Sequence, residues 1–576
     1  MPTRTQLLKC LEEMATLLEL AGANTFKVGA YSKAVRILGD ETIDVGALVA
    51  AGKLTDIDGI GKGIAEKVVE FWTDGRIAEL EELRGQFPPG LVELTEIPGF
   101  GAKKARAVFD ELGIASVAAL EEAARDGRLE KLKGFGKKTA DKVLEGIALV
   151  RKHSGRFRID VAWTAAQPIL EALRAHPAVE HVEAAGSLRR WRETAKDIDF
   201  VCATTRPADV MEAFVTMPGV ESVTGKGDTK ASVRLESGMQ ADLRCVEPVQ
   251  FAYALAHFTG SKEHNVRLRQ RALDRGLKLN EYGLFPEGGG EALPAVTEAD
   301  IHRHLGLAFV APELREDMGE IEAAAQDALP TLVTRNDIVG LMHLHTPASD
   351  GQPSLQDYAE WAHRHGIAWM GIADHSQSAA YAGGLKPDAV RRQWAEIDAL
   401  NAEWTGKGVR LLKGIESDIL VDGSLDYEEE LLAGFDFIVA SVHSRFNLSE
   451  EEQTARIIRA VEHPRTTILG HMTGRLLLKR EGYAVRQKAV LEACARTGTI
   501  VEINANPHRL DLDWRLVRFA LECGCLLSIG PDAHEIGGLD DVRYGLGVAR
   551  KGWATADRVV NCWSAAKFLE YARAKG

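Results

Sequence analysis

The chain has 576 residues, too many for a single hydrophobic core, so several domains are expected. With 45% hydrophobic and 27% charged residues it has an ordinary globular composition, and no apolar run nears the roughly 18 residues of a membrane span. The formal net charge of -14 argues against a uniformly basic nucleic-acid binder but not against a local basic surface, and carboxylates gathered around metal ions would inflate it.

The opening stretch, MPTRTQLLKCLEEMATLLEL, lacks the apolar core and cleavage site of a signal peptide and reads as an amphipathic helix. Seven cysteines without a CxxC pair or a regular framework suggest a reduced, cytoplasmic setting. One pattern then recurs three times: Ile57-Asp58-Gly59-Ile60-Gly61-Lys62, Ile97-Pro98-Gly99-Phe100-Gly101-Ala102-Lys103, and Leu132-Lys133-Gly134-Phe135-Gly136-Lys137. Each is a Gly-apolar-Gly turn opening a helix. Such glycines permit a tight turn and expose amides at a helix N-terminus, where a phosphate is favoured and a following lysine adds charge. A single copy could be a plain turn; three copies point to a grip on the DNA backbone, and they resemble helix-hairpin-helix motifs. Phe26-Lys27-Val28-Gly29-Ala30-Tyr31-Ser32-Lys33-Ala34 and Gly63-Ile64-Ala65-Glu66-Lys67 resemble the small N-terminal domain of DNA polymerase beta. That resemblance implies a 5′-phosphate site with Lys67 as a Schiff-base lyase nucleophile, its pKa depressed by cations such as Lys27. A solvated lysine on a DNA-facing helix is an equally open reading.

In the middle, the strand-like run Val182–Ala185 leads into Gly186-Ser187-Leu188-Arg189-Arg190, followed by Asp197-Ile198-Asp199 and, later, Ala241-Asp242-Leu243. Residues two apart on a strand face the same way, so Asp197 and Asp199 point together and Asp242 can complete a three-carboxylate cluster. Two divalent ions would relieve its repulsion and serve an in-line displacement at a triphosphate. Gly186, Ser187 and Arg190 suit the β- and γ-phosphates. The ordered set resembles family X DNA polymerases, and His257-Phe258-Thr259-Gly260-Ser261-Lys262-Glu263-His264-Asn265 and Leu279-Asn280-Glu281-Tyr282-Gly283 extend the likeness. The resemblance implies Arg158, Gly260, Ser261 and Lys262 near the nucleotide, Asn265 at the minor-groove edge, Arg269 near the template, and Mg2+ or Mn2+ as cofactor. His257 stands where the family has tyrosine, which leaves ribonucleotide exclusion open, and Gln240 stands where a basic residue would neighbour the third aspartate.

From about residue 338, short apolar runs at 338–342, 369–373, 409–415, 435–441, 466–469, 500–503 and 525–529 alternate with helix-like stretches, predicting a parallel βα barrel. At their ends stand His343, His345, Asp374-His375, Glu416, His443, His471, Asn504, Asp532 and His534, with Asp350 in the first loop. Functional groups in such barrels gather at the C-terminal ends of strands. The set resembles the PHP (polymerase and histidinol phosphatase) domain, whose nine ligand positions fall on His343, His345, Asp350, His375, Glu416, His443, His471, Asp532 and His534. The resemblance implies up to three ions, Mn2+ and/or Zn2+, and metal-assisted phosphoester hydrolysis. Arg445 and Arg475 could hold substrate phosphate or be surface arginines.

The whole arrangement resembles bacterial family X polymerases with a C-terminal PHP domain. The expected division is a helical domain at 1–90 with the first hairpin, a fingers-like helical domain at 91–150, an α+β nucleotidyltransferase palm at 151–248, a thumb at 249–320, a linker at 321–335 and a seven-stranded distorted barrel at 336–576. The function implied is gap-filling DNA repair synthesis with 3′-5′ exonuclease, 3′-phosphatase or AP endonuclease chemistry alongside. DNA and dNTPs are the implied partners of a monomer. Two other readings stand beside it: a small-molecule phosphatase fused to a DNA-binding module, and a DNA-binding scaffold with degenerate sites.

Overall fold

The computed structural model describes residues 4–39, 45–57, 59–153 and 155–575 and resolves them into two compact units, one built on residues 1–154 and the other on 155–477 and 481–576. The first is all helical. Its three glycine turns are built alike: Gly59, Gly99 and Gly134 take positive φ values of 92°, 74° and 88°, which only glycine adopts without strain. The residue between the glycines, Ile60, Phe100 or Phe135, is buried and closes its turn by donating its backbone N–H to the carbonyl of Ile57, Ile97 or Leu132. The second glycine then starts a helix, Lys62–Asp74, Ala102–Leu112 or Lys137–His153. Asp58 of the first turn lies outside the described residues. One hydrophobic core runs from Leu7 to Ile147, so the segments expected as two helical domains share their packing.

The second unit begins with a five-stranded sheet ordered His181–Ala184, Asp197–Ala203, Gln240–Val246, Lys230–Leu235, Val220–Lys226. The two central strands are parallel, with Asp197 beside Gln240 and Asp199 beside Asp242. The thumb, from the helix Phe251–Thr259 onward, has a core of its own around Tyr253, Leu268, Ile301 and Leu314. The expected linker is ordered: its start lies in the helix Glu320–Ala325, whose Ile321 and Ala324 are buried in that core, and Val333 bonds to the carbonyl of Ala554. Apolar residues at those positions find partners, so the segment does not stay free.

Seven parallel strands follow in sequence order, Gly340–Leu344, Trp369–Ile372, Arg410–Asp418, Phe437–Ser441, Ile468–Leu469, Ile500–Asn504 and Leu527–Gly530. A parallel bridge between Leu344 and Ala533 nearly closes the barrel. The strands are buried on both faces, which explains their continuous apolar runs. Among the described residues, no helix is long and apolar enough to cross a membrane.

Candidate functional site

Strand pairing alone brings the palm carboxylates together. Asp197 and Asp199 lie two apart on one strand, and Asp199 is the register partner of Asp242 on the next. Burial first, then the charges of Asp197 and Asp242, push the Asp199 carboxyl up to about 7. Asp242 is held below its ordinary range despite burial, because Lys230, Ser232 and Gln240 bond to it; the Lys230 ammonium lies 2.9 Å away. Gln240 therefore serves the third aspartate through its side-chain amide, at 3.0 Å. The short helix Gly186–Arg189 begins against this cluster. Gly186 has φ 59°, and a Cβ there would sit 2.2 Å from Asp199 Oδ2, so backbone and carboxylate approach each other only because the residue is glycine.

The expected nucleotide contacts are engaged with protein groups. Arg190 donates Nε to Glu316 (3.0 Å) and Nη1 to the Thr259 carbonyl (2.7 Å). Arg158 forms a two-pronged pair with Asp160 at 3.0 and 2.8 Å. Ser261 caps the helix Lys262–Leu273 by accepting the His264 amide, while Lys262 is exposed at its first position. Asn265 donates to the His257 carbonyl at 2.7 Å, and a Cβ on Gly260 would meet its side chain at 2.4 Å. Ser187 lies on the helix at Asp199, and Arg269 is exposed on the helix Lys262–Leu273.

The barrel set converges further. All nine expected ligands fall into four overlapping groups, each with donor atoms within 4.8 Å of one another: His345/Asp350/His375/His534, His343/His345/Asp532, His343/Glu416/His471 and His375/Glu416/His443. Among the described residues, donor groups this tight occur only here, so the palm aspartates are more loosely drawn together. Two of the groups meet at His343, an extra residue in the first strand: the pairing with Trp369–Ile372 shifts between Met342 and Leu344, and His343 takes φ 66°. Glu416 lies inside its strand rather than at its end.

Several ring nitrogens and a carboxylate oxygen here (His343 Nε2, both nitrogens of His345, His375 Nδ1, His471 Nδ1, Glu416 Oε2) are buried without a hydrogen bond. Orphaned buried polar atoms are costly, and mixed imidazole and carboxylate donors suit divalent transition ions, so the residues fit a metal cluster. Burial works against charge on His443, yet Glu416 and Asp418 hold it up to about 10; burial and the neighbouring His534 press His345 down to about 3. Burial likewise disfavours the Glu416 carboxylate, but His443, His343 and His375 hold its pKa well below the usual range.

Of the other residues of the site, Glu502, Asp418, Arg509 and Tyr381 escaped the sequence reading, whereas Asp374 was read at its strand end. Glu502, fully buried, accepts His343 Nδ1 at 2.5 Å and the His471 amide at 2.8 Å. Asp418 holds His443 Nδ1 at 2.7 Å. Asp374 receives Thr346 N and Oγ1, Ser349 Oγ and Gln393 Nε2, fixing the loop that carries Asp350. Arg509 reaches Asp532 at 3.4 Å. Tyr381 lies with its ring exposed near His375 and His443. Glu502 and Asp418 each stand two residues from a site residue on a strand, Asn504 and Glu416, and that alternation was the available signal. Arg475 is bound to Asp513 and to the carbonyls of Arg509 and Leu510, whereas Arg445 is exposed with φ 59°.

In the helical unit Gly61, Gly99, Gly101, Gly134 and Gly136 face open space, with Lys62, Lys103 and Lys137 exposed beside the turns. Gly59 is packed instead, against Lys33 and Ile37. One expectation is reversed. Lys67 lies between Glu79 (3.3 Å) and Glu70 (3.4 Å), and Lys27 is itself paired with Glu79. Burial would lower its pKa, but these carboxylates raise it above the ordinary value, so Glu79 and Glu70, and not Lys27, set its charge state.

Comparison with known proteins agrees with this layout. Residues 2–77 match the helix-hairpin-helix domain family, 91–148 the SAM-like helix-hairpin-helix tandem, 254–316 the DNA polymerase beta thumb and 342–506 the PHP domain. The chain is 39% identical to the DNA polymerase/3′-5′ exonuclease PolX of Bacillus subtilis (strain 168), over 97% of this chain and 98% of that one. It is 27% identical to DNA polymerase lambda of Rattus norvegicus, over 51% of this chain and 56% of the relative. A probable phosphatase of Thermoanaerobacter sp. (strain X514) is 26% identical over 40% of this chain and 94% of its own length.

Proposed function

The chain belongs to the PolX family of bacterial family X DNA polymerases with helix-hairpin-helix domains, a polymerase beta thumb and a C-terminal PHP domain, and from that premise we propose how its residues divide the work. It is a DNA polymerase and 3′-5′ exonuclease. Its task is gap-filling repair synthesis in the cytoplasm, as a monomer, on gapped or primer–template DNA with dNTPs.

Asp197, Asp199 and Asp242 hold Mg2+ or Mn2+ in the palm, and the nine barrel residues hold up to three Mn2+ or Zn2+ ions. Bound there, such ions supply charge neutralisation at phosphate and activation of water. The protein's own groups do the positioning. Gly186 lets the backbone approach the carboxylates, and Ser187 with Arg190 takes the β- and γ-phosphates. Gly260, Ser261 and Lys262, at a helix N-terminus, add amides and charge, and Arg158, Asn265 and Arg269 align nucleotide and template. Because Arg190 is paired with Glu316 and the Thr259 carbonyl, binding a triphosphate requires it to exchange partners. In the barrel, Glu502 and Asp418 fix the rings of His343 and His443, and the exposed Tyr381, beside His375 and His443, and Arg445 take the phosphate of a DNA 3′ end. The exposed glycine turns hold the DNA backbone.

The observation that carries this reading is the gathering of all nine barrel residues in one connected cluster, with the palm carboxylates aligned on adjacent strands. The test is a labelled gapped duplex with manganese, with and without dNTPs. Asp197→Ala should abolish extension and keep 3′-end shortening; His343→Ala should do the reverse. Extension by Asp197→Ala, or shortening by His343→Ala at the wild-type rate, would overturn the assignment of that centre.

A further inference from the structure

We propose that Lys551, a residue of the PHP domain, is a positioning residue for the nucleotide site of the polymerase, acting through Glu316 on Arg190. The inference rests on the reading of Arg190 as a triphosphate ligand.

Lys551 ends the helix Val542–Lys551, which packs on the barrel, yet its ammonium points into the polymerase half and is fully buried. It donates to Glu316 Oε1 at 2.5 Å, to the Arg190 carbonyl at 3.0 Å and to the Glu313 carbonyl at 3.3 Å. An ammonium has three donors, and all three are committed to the polymerase half. Burial lowers its pKa to about 8, but Glu316 supports the charge.

The same grip extends along the turn that joins the glycine-serine helix to the first catalytic strand. Trp191 packs between Trp163 and Tyr544, and Gly547 lies so close that a Cβ would stand 2.7 Å from the Trp191 ring. Glu193, four residues before Asp197, accepts Trp514 Nε1 at 3.1 Å and Arg515 Nη1 at 3.2 Å. The path from Arg190 to Asp197 is therefore clasped by two helices of the neighbouring domain.

The shared oxygen sets the direction of the effect. Glu316 Oε1 receives both Lys551 Nζ and Arg190 Nε, while Oε2 receives Arg192 Nη1 at 3.2 Å. Lys551 and Arg190 divide one oxygen of a carboxylate that also holds Arg192, and a shared acceptor holds each donor less tightly, so Lys551 loosens the grip on Arg190. When Arg190 turns toward a phosphate, Lys551 takes over the oxygen it leaves while Arg192 keeps the other, and that pairing removes much of the penalty for the exchange. Without Lys551, Glu316 would hold Arg190 more tightly and its backbone carbonyl would lose an anchor.

The experiment uses the full-length enzyme on a single-nucleotide gap, measuring KM for dNTP and kcat, with 3′-end shortening in the same preparations. Lys551→Met should raise the dNTP KM about tenfold or more with exonuclease activity unchanged, about 1.4 kcal/mol of lost binding. Lys551→Arg, which keeps the charge, should restore most of it, and Lys551→Met/Glu316→Gln should bring KM back toward wild type by freeing Arg190. An unchanged KM in Lys551→Met overturns the proposal, as does loss of both activities together with a lowered Tm, which would mark a purely structural lysine. Arg190→Met separates the two layers. If it leaves KM unchanged, the reading of Arg190 fails; if it raises KM while Lys551→Met does not, only the coupling fails.

Discussion

Glu502 is the most direct probe of how the barrel cluster is held. Its carboxylate is buried and takes three donors: His343 Nδ1 on Oε1 at 2.5 Å, and the His471 amide and Asn504 Nδ2 on Oε2 at 2.8 and 3.3 Å. With Nδ1 fixed in this way, His343 presents Nε2 to Glu416 at 3.2 Å and Asp532 at 3.7 Å, so Glu502 selects both the tautomer and the ring orientation. Glu502→Gln keeps the shape but offers one acceptor and one donor where two acceptors are needed, so either His343 Nδ1 or the His471 amide loses its partner. A charge-assisted hydrogen bond contributes about 1.5–3 kcal/mol, and an orienting partner of a metal-bound histidine is worth about 10–100-fold in metal affinity. The expected result is a manganese half-saturation for 3′-end shortening raised by about 10-fold or more, with less metal retained after gel filtration. Primer extension, measured in the same sample, should stay within about twofold, since the palm shares none of these bonds. A variant with wild-type manganese dependence and metal content would refute the claim that Glu502 orients His343.

Gly186→Ala should cut primer extension about 100-fold or more while leaving exonuclease activity intact, because the added methyl would overlap Asp199 Oδ2 and shift a reacting group; near-normal extension would contradict it. Asp541, whose carboxyl is raised from 3.8 to about 8 by burial and by Asp160, binds its proton more tightly when folded, so its contribution to stability is full below pH 3.8 and is lost as pH rises to about 8. Asp541→Asn should therefore raise Tm over wild type more at pH 8.5 than at pH 5, and an equal shift at both would refute it. For Lys67, borohydride trapping on a 5′-deoxyribose-phosphate end should give a weak adduct that increases in Glu79→Gln as the clasping carboxylate is removed. An adduct that survives Lys67→Ala would exclude this lysine as the nucleophile.

How legible each part was depended on the range of the interaction behind it. The glycine turns, the seven barrel strands and the aspartate pair are encoded locally, in periodicity and in residues two or three apart, and the structure reproduces those elements. The convergence of the nine expected barrel residues was legible because strand ends in a βα barrel share one face, so sequence order already implies it. What chain-distant partners decide was not legible. Lys67 read as a lysine beside cations such as Lys27, whereas the groups that touch it are carboxylates, Glu70 on its own helix and Glu79, twelve residues on. The segment 321–335 read as a linker because nothing local revealed that Ile321 and Ala324 complete the thumb core. Glu502 was passed over as part of an apolar strand, though an acid inside a fully buried strand must have a partner.

The packing between palm and barrel bears on how one DNA end reaches two centres. A single hydrophobic cluster runs from Ile159 and Phe200 in the palm to Val517 and Ala549 around the barrel, and charged residues pair across the same boundary. Inter-domain motion is the default for small, polar interfaces, but here a hinge would expose Trp191, Trp514 and the Lys551–Glu316 pair together. Uncovering this apolar cluster and its aromatic rings costs more than the thermal energy that drives ordinary domain opening. Palm and barrel therefore act as one body, and switching between extension and shortening must come from movement of the DNA 3′ end rather than from separation of the two domains. On that view Lys551 is the point at which the fixed interface touches nucleotide binding, and its substitution should alter extension without altering the exonuclease.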